Sequence, residues 1–75
     1  RWRTIGARLR RECERLRLTQ PEVARRMGTE SWQWLSALEC GRRGVSLDVL
    51  ERLATVLGVS VNVQIHRYRH VRISP

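Results

Sequence analysis

Lysine and phenylalanine are absent from this 75-residue chain, aromatic residues make up 5% of it, and it has two cysteines and two prolines. Two cysteines cannot build a disulfide framework. Cys13 and Cys40 stand at no zinc-ligand spacing with histidine, so both read as free thiols in a reducing cytoplasm. No apolar run approaches the ~20 residues of a membrane span, and no signal-peptide pattern opens the chain. Catalytic constellations are missing too. Ser31, Ser36 and Ser46 have no His–Asp context, and His66 and His70 have no carboxylate nearby. A chain this short buries roughly 60–65% of the surface its unfolded form exposes, which leaves no room for an enzyme's cavity. The expectation is a protein that is not an enzyme and holds no cofactor or metal.

What the chain does have is arginine. Fifteen basic residues, all Arg, face seven acidic ones, for a net charge of +8. The guanidinium presents a planar fork of donors that matches phosphate oxygens and the acceptor edge of guanine, so an acidic polymer is the natural partner.

Four helical segments and a strand follow from the residue pattern. In the first segment Ile5, Leu9, Cys13 and Leu16 recur at helical spacing, with Arg8, Arg10, Arg11, Arg15 and Arg17 between them as solvated or phosphate-facing surface. The second opens on Thr19-Gln20-Pro21-Glu22, a capping-box pattern with proline in the first turn. It buries Val23, Ala24 and Met27 and stops at Gly28. The third runs from about residue 30 to Glu39, with Leu35 and Leu38 inward and Gly41 as its stop. Ser46 caps the fourth and Asp48 sits in its first turn, and Leu47, Leu50, Leu53, Ala54 and Leu57 form its stripe ahead of Gly58. Beyond Gly58 the period changes to two. Val61, Val63 and Ile65 alternate with polar residues as a half-buried strand, and a weaker alternation runs through Tyr68, Val71 and Ile73. A lone strand needs a partner, which is either a hairpin return or the same strand of a second chain, and the second is preferred because no turn signal is evident. Residues 1–4, with Trp2 between Arg1 and Arg3, are expected as an N-terminal arm, residues 5–59 as the helical domain, and residues 60–75 as a strand and basic tail for dimerisation.

The second and third segments, joined through Gly28-Thr29, form a helix-turn-helix candidate: Ala24 is small where the helices cross, and Gly28 permits a positive φ. Together, "IGARLRRECERLRLTQPEVARRMG" and "WLSALECGRRGVSLDVLERLATVLGV" resemble the phage-repressor and Cro-type (XRE-like) helix-turn-helix domains over residues 5–59. The resemblance implies a mainly α, four-helix or five-helix repressor-like domain, here with a short C-terminal β-strand. It further implies sequence-specific binding of a palindromic duplex by a homodimeric transcriptional regulator, a repressor. By the same resemblance Trp32, Gln33 and Ser36 contact bases, Gln20, Arg42 and Arg43 contact phosphates, and the amide of Gln33 can pair with adenine. Val61, Val63 and Ile65 are the expected dimerisation residues.

Three departures from the family pattern stand out. The stretch from Gly28 to Glu39 is one residue longer than usual, an addition placed among Thr29, Glu30 and Ser31. Cys13 stands where the family often has an arginine that pairs with the glutamate matching Glu39, which leaves Glu39 to Arg10, Arg17 or solvent. The terminal strand, in place of a fifth helix, resembles HipB-type antitoxins. That gives the alternative of an antitoxin that binds a toxin protein and autoregulates its operon.

Overall fold

The computed structural model describes residues 1–65 and 69–74, and within the terminal strands the side chains of Ser60, Val61 and Ile73 alone. The order is α1 (Trp2–Arg15), α2 (Gln20–Arg26), α3 (Gln33–Glu39), α4 (Leu47–Leu57), β1 (Ser60–Ile65) and β2 (Arg69–Ser74). The mainly α, four-helix domain is as expected. No helix among the described residues is long and apolar enough to cross a membrane.

The apolar stripes converge on one core. Leu9, Leu35, Leu38, Leu50, Leu53 and Leu57 are all but inaccessible, with Ile5, Cys13, Val23, Met27 and Ala54 around them. Burying a side chain of this kind contributes roughly 1.5–3 kcal/mol, and six leucines from three helices make the core one interdigitated unit. Two stripe members fall outside it: Leu16 lies past the end of α1 and Leu47 at the first position of α4, and both are exposed.

Each of the four helices ends on a residue in the left-handed region, Gly28, Gly41 and Gly58 as the sequence implies, and Arg17 for α1 at φ 58°. After α3 the closure is a full Schellman motif: the Arg42 N–H donates to the Ala37 carbonyl (2.9 Å) and Gly41 N–H to that of Leu38 (3.0 Å). Arg17 carries the same pattern after α1, its N–H bonded to Glu14 O and that of Leu18 to Cys13 O.

Two expectations change at the ends of the chain. Residues 1–4 are no free arm, because α1 begins at Trp2 and its start is packed down. A Cβ on Gly44 would collide with the Trp2 indole, and one on Gly41 would lie 2.6 Å from the Arg3 Cα. The terminal strand also finds its partner in its own chain. β1 and β2 are antiparallel, with Ser60 opposite Ser74 and Ile65 opposite Arg69, so the weaker alternation is a second strand. The register sets Val61 across from Ile73, and both pack on the helical core. Pairing within the chain needs only a short loop closure, whereas pairing between chains depends on concentration. His66, Arg67 and Tyr68 lie outside the described residues, as do the side chains of Val63, Ile65, His70 and Val71.

Candidate nucleic-acid interface

The α2 start is built as the sequence indicates. The Glu22 N–H donates to Thr19 Oγ1 at 3.2 Å, and Pro21 occupies the first turn, where its missing donor costs nothing. The other half of the capping box does not form, since the Glu22 carboxylate turns to Arg26 (3.7 Å) and Arg25 (3.8 Å).

Between α2 and α3 the longer connection is held by side chains. Gly28 takes φ +82°. Thr29 Oγ1 donates to the carbonyls of Ala24 (3.1 Å) and Ser31 (3.2 Å), and Trp34 Nε1 donates to Ser31 O at 2.9 Å. The helix that follows starts at Gln33, later than the sequence places it, with Trp32 as its N-cap residue. Trp32 has no side-chain oxygen to serve as a cap. No side chain caps α3; Gln33 Oε1 instead accepts from Ser31 Oγ (2.9 Å) and from the Trp32 N–H (3.2 Å), both before the helix. Trp32 and Gln33 are exposed, while Ser36 is half-buried one turn further on. Of the three expected base readers, the first two therefore stand at the protruding tip of α3. Gln33 must release an acceptor bond before its Oε1 could take part in a bidentate pair with adenine, whereas Nε2 is bonded to nothing among the described residues.

Beneath α3 lies an arrangement that no sequence signal announced. Glu39 is 8% exposed and makes no ion pair among the described residues. Gln20 Nε2 donates to Oε1 at 3.0 Å, and the Cys13 thiol faces Oε2 at 3.7 Å. One carboxylate thereby ties α1, α2 and α3 together, and neither Arg10 nor Arg17, expected as its partner, pairs with it. Burial, and then the charge of Glu39, pushes the Cys13 thiol from 9.0 up to about 12, so it serves as a donor and stays protonated. Both hydrogens of the Gln20 amide nitrogen can donate. Glu39 takes one and holds the side chain at the start of α2.

The helices close up through Gly6, where a Cβ would strike the Leu38 carbonyl and the Glu39 backbone. This contact brings α1 against the end of α3, and the turn carrying Arg42 and Arg43 follows directly.

The arginines divide into two groups. Arg8 and Arg15 flank the buried Glu12, with Arg15 Nε at 2.8 Å and Arg8 Nε at 3.4 Å, an ion pair without hydrogen-bond alignment. Arg10 meets Glu14, and Arg25 and Arg26 meet Glu22. Of the arginines expected as solvated or phosphate-facing surface, Arg8, Arg10 and Arg15 are partly neutralised by acidic neighbours about one helical turn away, while Arg11 and Arg17 make no ion pair among the described residues. Among the described residues, which include all seven acidic side chains, Arg42 and Arg43 approach no carboxylate within ion-pair distance, and both are exposed. Gln20, Arg42, Arg43 and the tip of α3 thus belong to one helix-turn-helix unit. Val61 packs on the protein's own core instead of lying open.

The family model described as "Helix-turn-helix domain" matches residues 4–64. An uncharacterised HTH-type transcriptional regulator of Sinorhizobium fredii, y4dJ, is 54% identical over 54 residues, covering 72% of this chain and 65% of the relative. The chain therefore spans just under two thirds of the length of the curated relative it matches. No solved structure matches it. With Gly28 at the turn, α3 held by Leu35 and Leu38, and the family model spanning all four helices, the chain belongs to the XRE-like helix-turn-helix DNA-binding domains.

Proposed function

We propose that this domain reads duplex DNA in a sequence-specific manner as part of a homodimeric transcriptional repressor, with α3 in the major groove. The observation that carries the reading is the sorting of charge. Arg8, Arg10, Arg15, Arg25 and Arg26 on α1 and α2 are matched by nearby glutamates, whereas Arg42 and Arg43, just past α3, make no ion pair among the described residues and are available to neutralise phosphate. In this reading Gln33 contacts a base edge, Trp32 a thymine methyl or sugar, and Ser36 the groove floor. Gln20, Arg42 and Arg43 hold the backbone on either side. Two copies with recognition helices about 34 Å apart would span one turn of DNA. Dimerisation through Val61, Val63 and Ile65 would use the edge of β1 that β2 leaves open. The hairpin leaves the antitoxin alternative without the lone strand that prompted it.

Selection of bound sequences from a random duplex pool tests the proposal. The expected product is a palindrome with half-sites one helical turn apart. Recovery without a consensus would overturn sequence-specific reading, and a single unrepeated half-site would overturn the dimer.

A further inference from the structure

The first turn of α1 lies against the turn that follows α3. Gly44 accommodates the Trp2 indole, and the point where Gly41 would carry a Cβ is 2.8 Å from the Cβ of Arg3. Gly41 is in the left-handed region at φ +74°, so any side chain there is both strained and obstructed. Two glycines in one turn thus hold the start of α1 beside Arg42 and Arg43. The first turn of α1 contains no acidic residue. Among the described residues, Arg3 makes no ion pair, unlike Arg8, Arg10 and Arg15 further along the same helix.

We propose that Arg3 is a further phosphate contact, forming with Arg42 and Arg43 one cationic patch on the DNA backbone beside the groove that α3 enters. Trp2 is its positioning residue, since the indole on Gly44 holds the first turn of α1 to the turn after α3. The inference rests on the DNA-binding reading and extends its surface to a third part of the fold. Contiguity is the reason for choosing Arg3. Arg11 is equally exposed and, among the described residues, equally without a carboxylate partner, but it lies eight residues along α1, roughly 12 Å from Arg3. Both arginines line the groove between α1 and β2 beside Ile73, but only Arg3 also lies against the turn after α3, through Gly41. Charge alone would make the two arginines equivalent, whereas the glycine contacts make them different.

The experiment measures affinity for a short duplex against salt, by fluorescence anisotropy, for the whole chain and for Arg3→Ala, Arg11→Ala and Arg43→Ala. A lost phosphate contact lowers the slope of log affinity against log salt by about one unit. The expected result is that loss for Arg3→Ala and for Arg43→Ala, and the parent slope for Arg11→Ala. Arg3 is exposed and its backbone makes the glycine contact, so the alanine variant keeps the fold. Arg3→Lys should recover most of the slope. A parent-like slope for Arg3→Ala beside a reduced one for Arg43→Ala would overturn the inference and leave the DNA reading intact. Equal losses for Arg3→Ala and Arg11→Ala would also overturn it, because general charge would then explain both. Absence of salt-dependent duplex binding by the parent chain would overturn the DNA reading and this inference together.

Discussion

Glu12 and Glu39 are the two acidic side chains that this fold buries, and their surroundings differ in kind. Glu12 lies on α1 between Arg8 and Arg15, its counter-charges coming from the same helix. Glu39, at the end of α3, has a glutamine amide and a thiol from two other helices. The first arrangement is local and quiets the charge of one side of α1. The second is tertiary, joins the helices of the DNA-binding unit, and uses no arginine at all. In a chain whose every cation is arginine, a buried carboxylate held by neutral donors leaves the nearby Arg42 and Arg43 uncommitted. Glutamates neutralise Arg8, Arg10, Arg15, Arg25 and Arg26 within the fold, and among the described residues Arg42 and Arg43 beside α3 stay available, as do Arg3 and Arg11 on α1.

The contrast can be broken most severely at Gly6. Gly6→Ala places a methyl group on the Leu38 carbonyl and the Glu39 backbone, and should cost about 3 kcal/mol in chemical denaturation. The Glu12 pairs lie within α1 and should survive in any residual helix. A parent-like midpoint would mean that α1 and α3 do not pack as closely as described. Next comes Gln20→Ala, which takes the better-aligned donor from Glu39. A buried carboxylate losing such a bond should destabilise the domain by about 2 kcal/mol.

The matching change on the other side is smaller. Arg15→Ala removes one hydrogen bond to the buried Glu12 carboxylate but leaves Arg8 as its counter-charge on the same helix, and should cost about 1.5 kcal/mol. If Arg15→Ala proved more damaging than Gln20→Ala, the ranking of tertiary over local support would be reversed.

The smallest effect near neutral pH belongs to Cys13. Its thiol titrates at about 12 in the folded protein against 9.0 ordinarily, so between these values the unfolded chain loses a proton that the native one keeps. Stability should therefore be unaffected below pH 9 and fall as pH rises from about 9 toward 12. Glu39→Gln removes the carboxylate that contributes to the shift and should narrow that window. Thiol-directed alkylation at mildly alkaline pH should label exposed Cys40 and spare buried Cys13. Equal rates would contradict the enclosure of Cys13.

The four helices were legible because their signals are local. Apolar spacing, Thr19 and Ser46 as caps, and Gly28, Gly41 and Gly58 as stops each act within a few residues. What escaped depends on contacts between distant parts of the chain. The stop of α1 is Arg17, a side chain that pays about 1 kcal/mol in the left-handed region and gives no sequence warning. The hairpin has no Gly, Asn or Asp between its two alternations, so its second strand read as a tail. Trp2 read as part of an N-terminal arm because its platform, Gly44, is remote in sequence. At the interface, residue types pointed to Gln20, Gln33, Arg42 and Arg43. They could not foretell that Glu39 would hold Gln20, or that Gln33 would bond back to Ser31 and Trp32 ahead of its own helix.

The central claim, that α3 reads bases while the arginines beside it hold phosphates, is tested most directly by comparing Gln33→Ala with Arg43→Ala. Each variant's affinity would be measured on the selected duplex and on a random one. The account predicts that Gln33→Ala loses about 1–3 kcal/mol on the selected site and nothing on the random duplex, whereas Arg43→Ala weakens both alike. Indistinguishable losses for the two variants on both duplexes would contradict it.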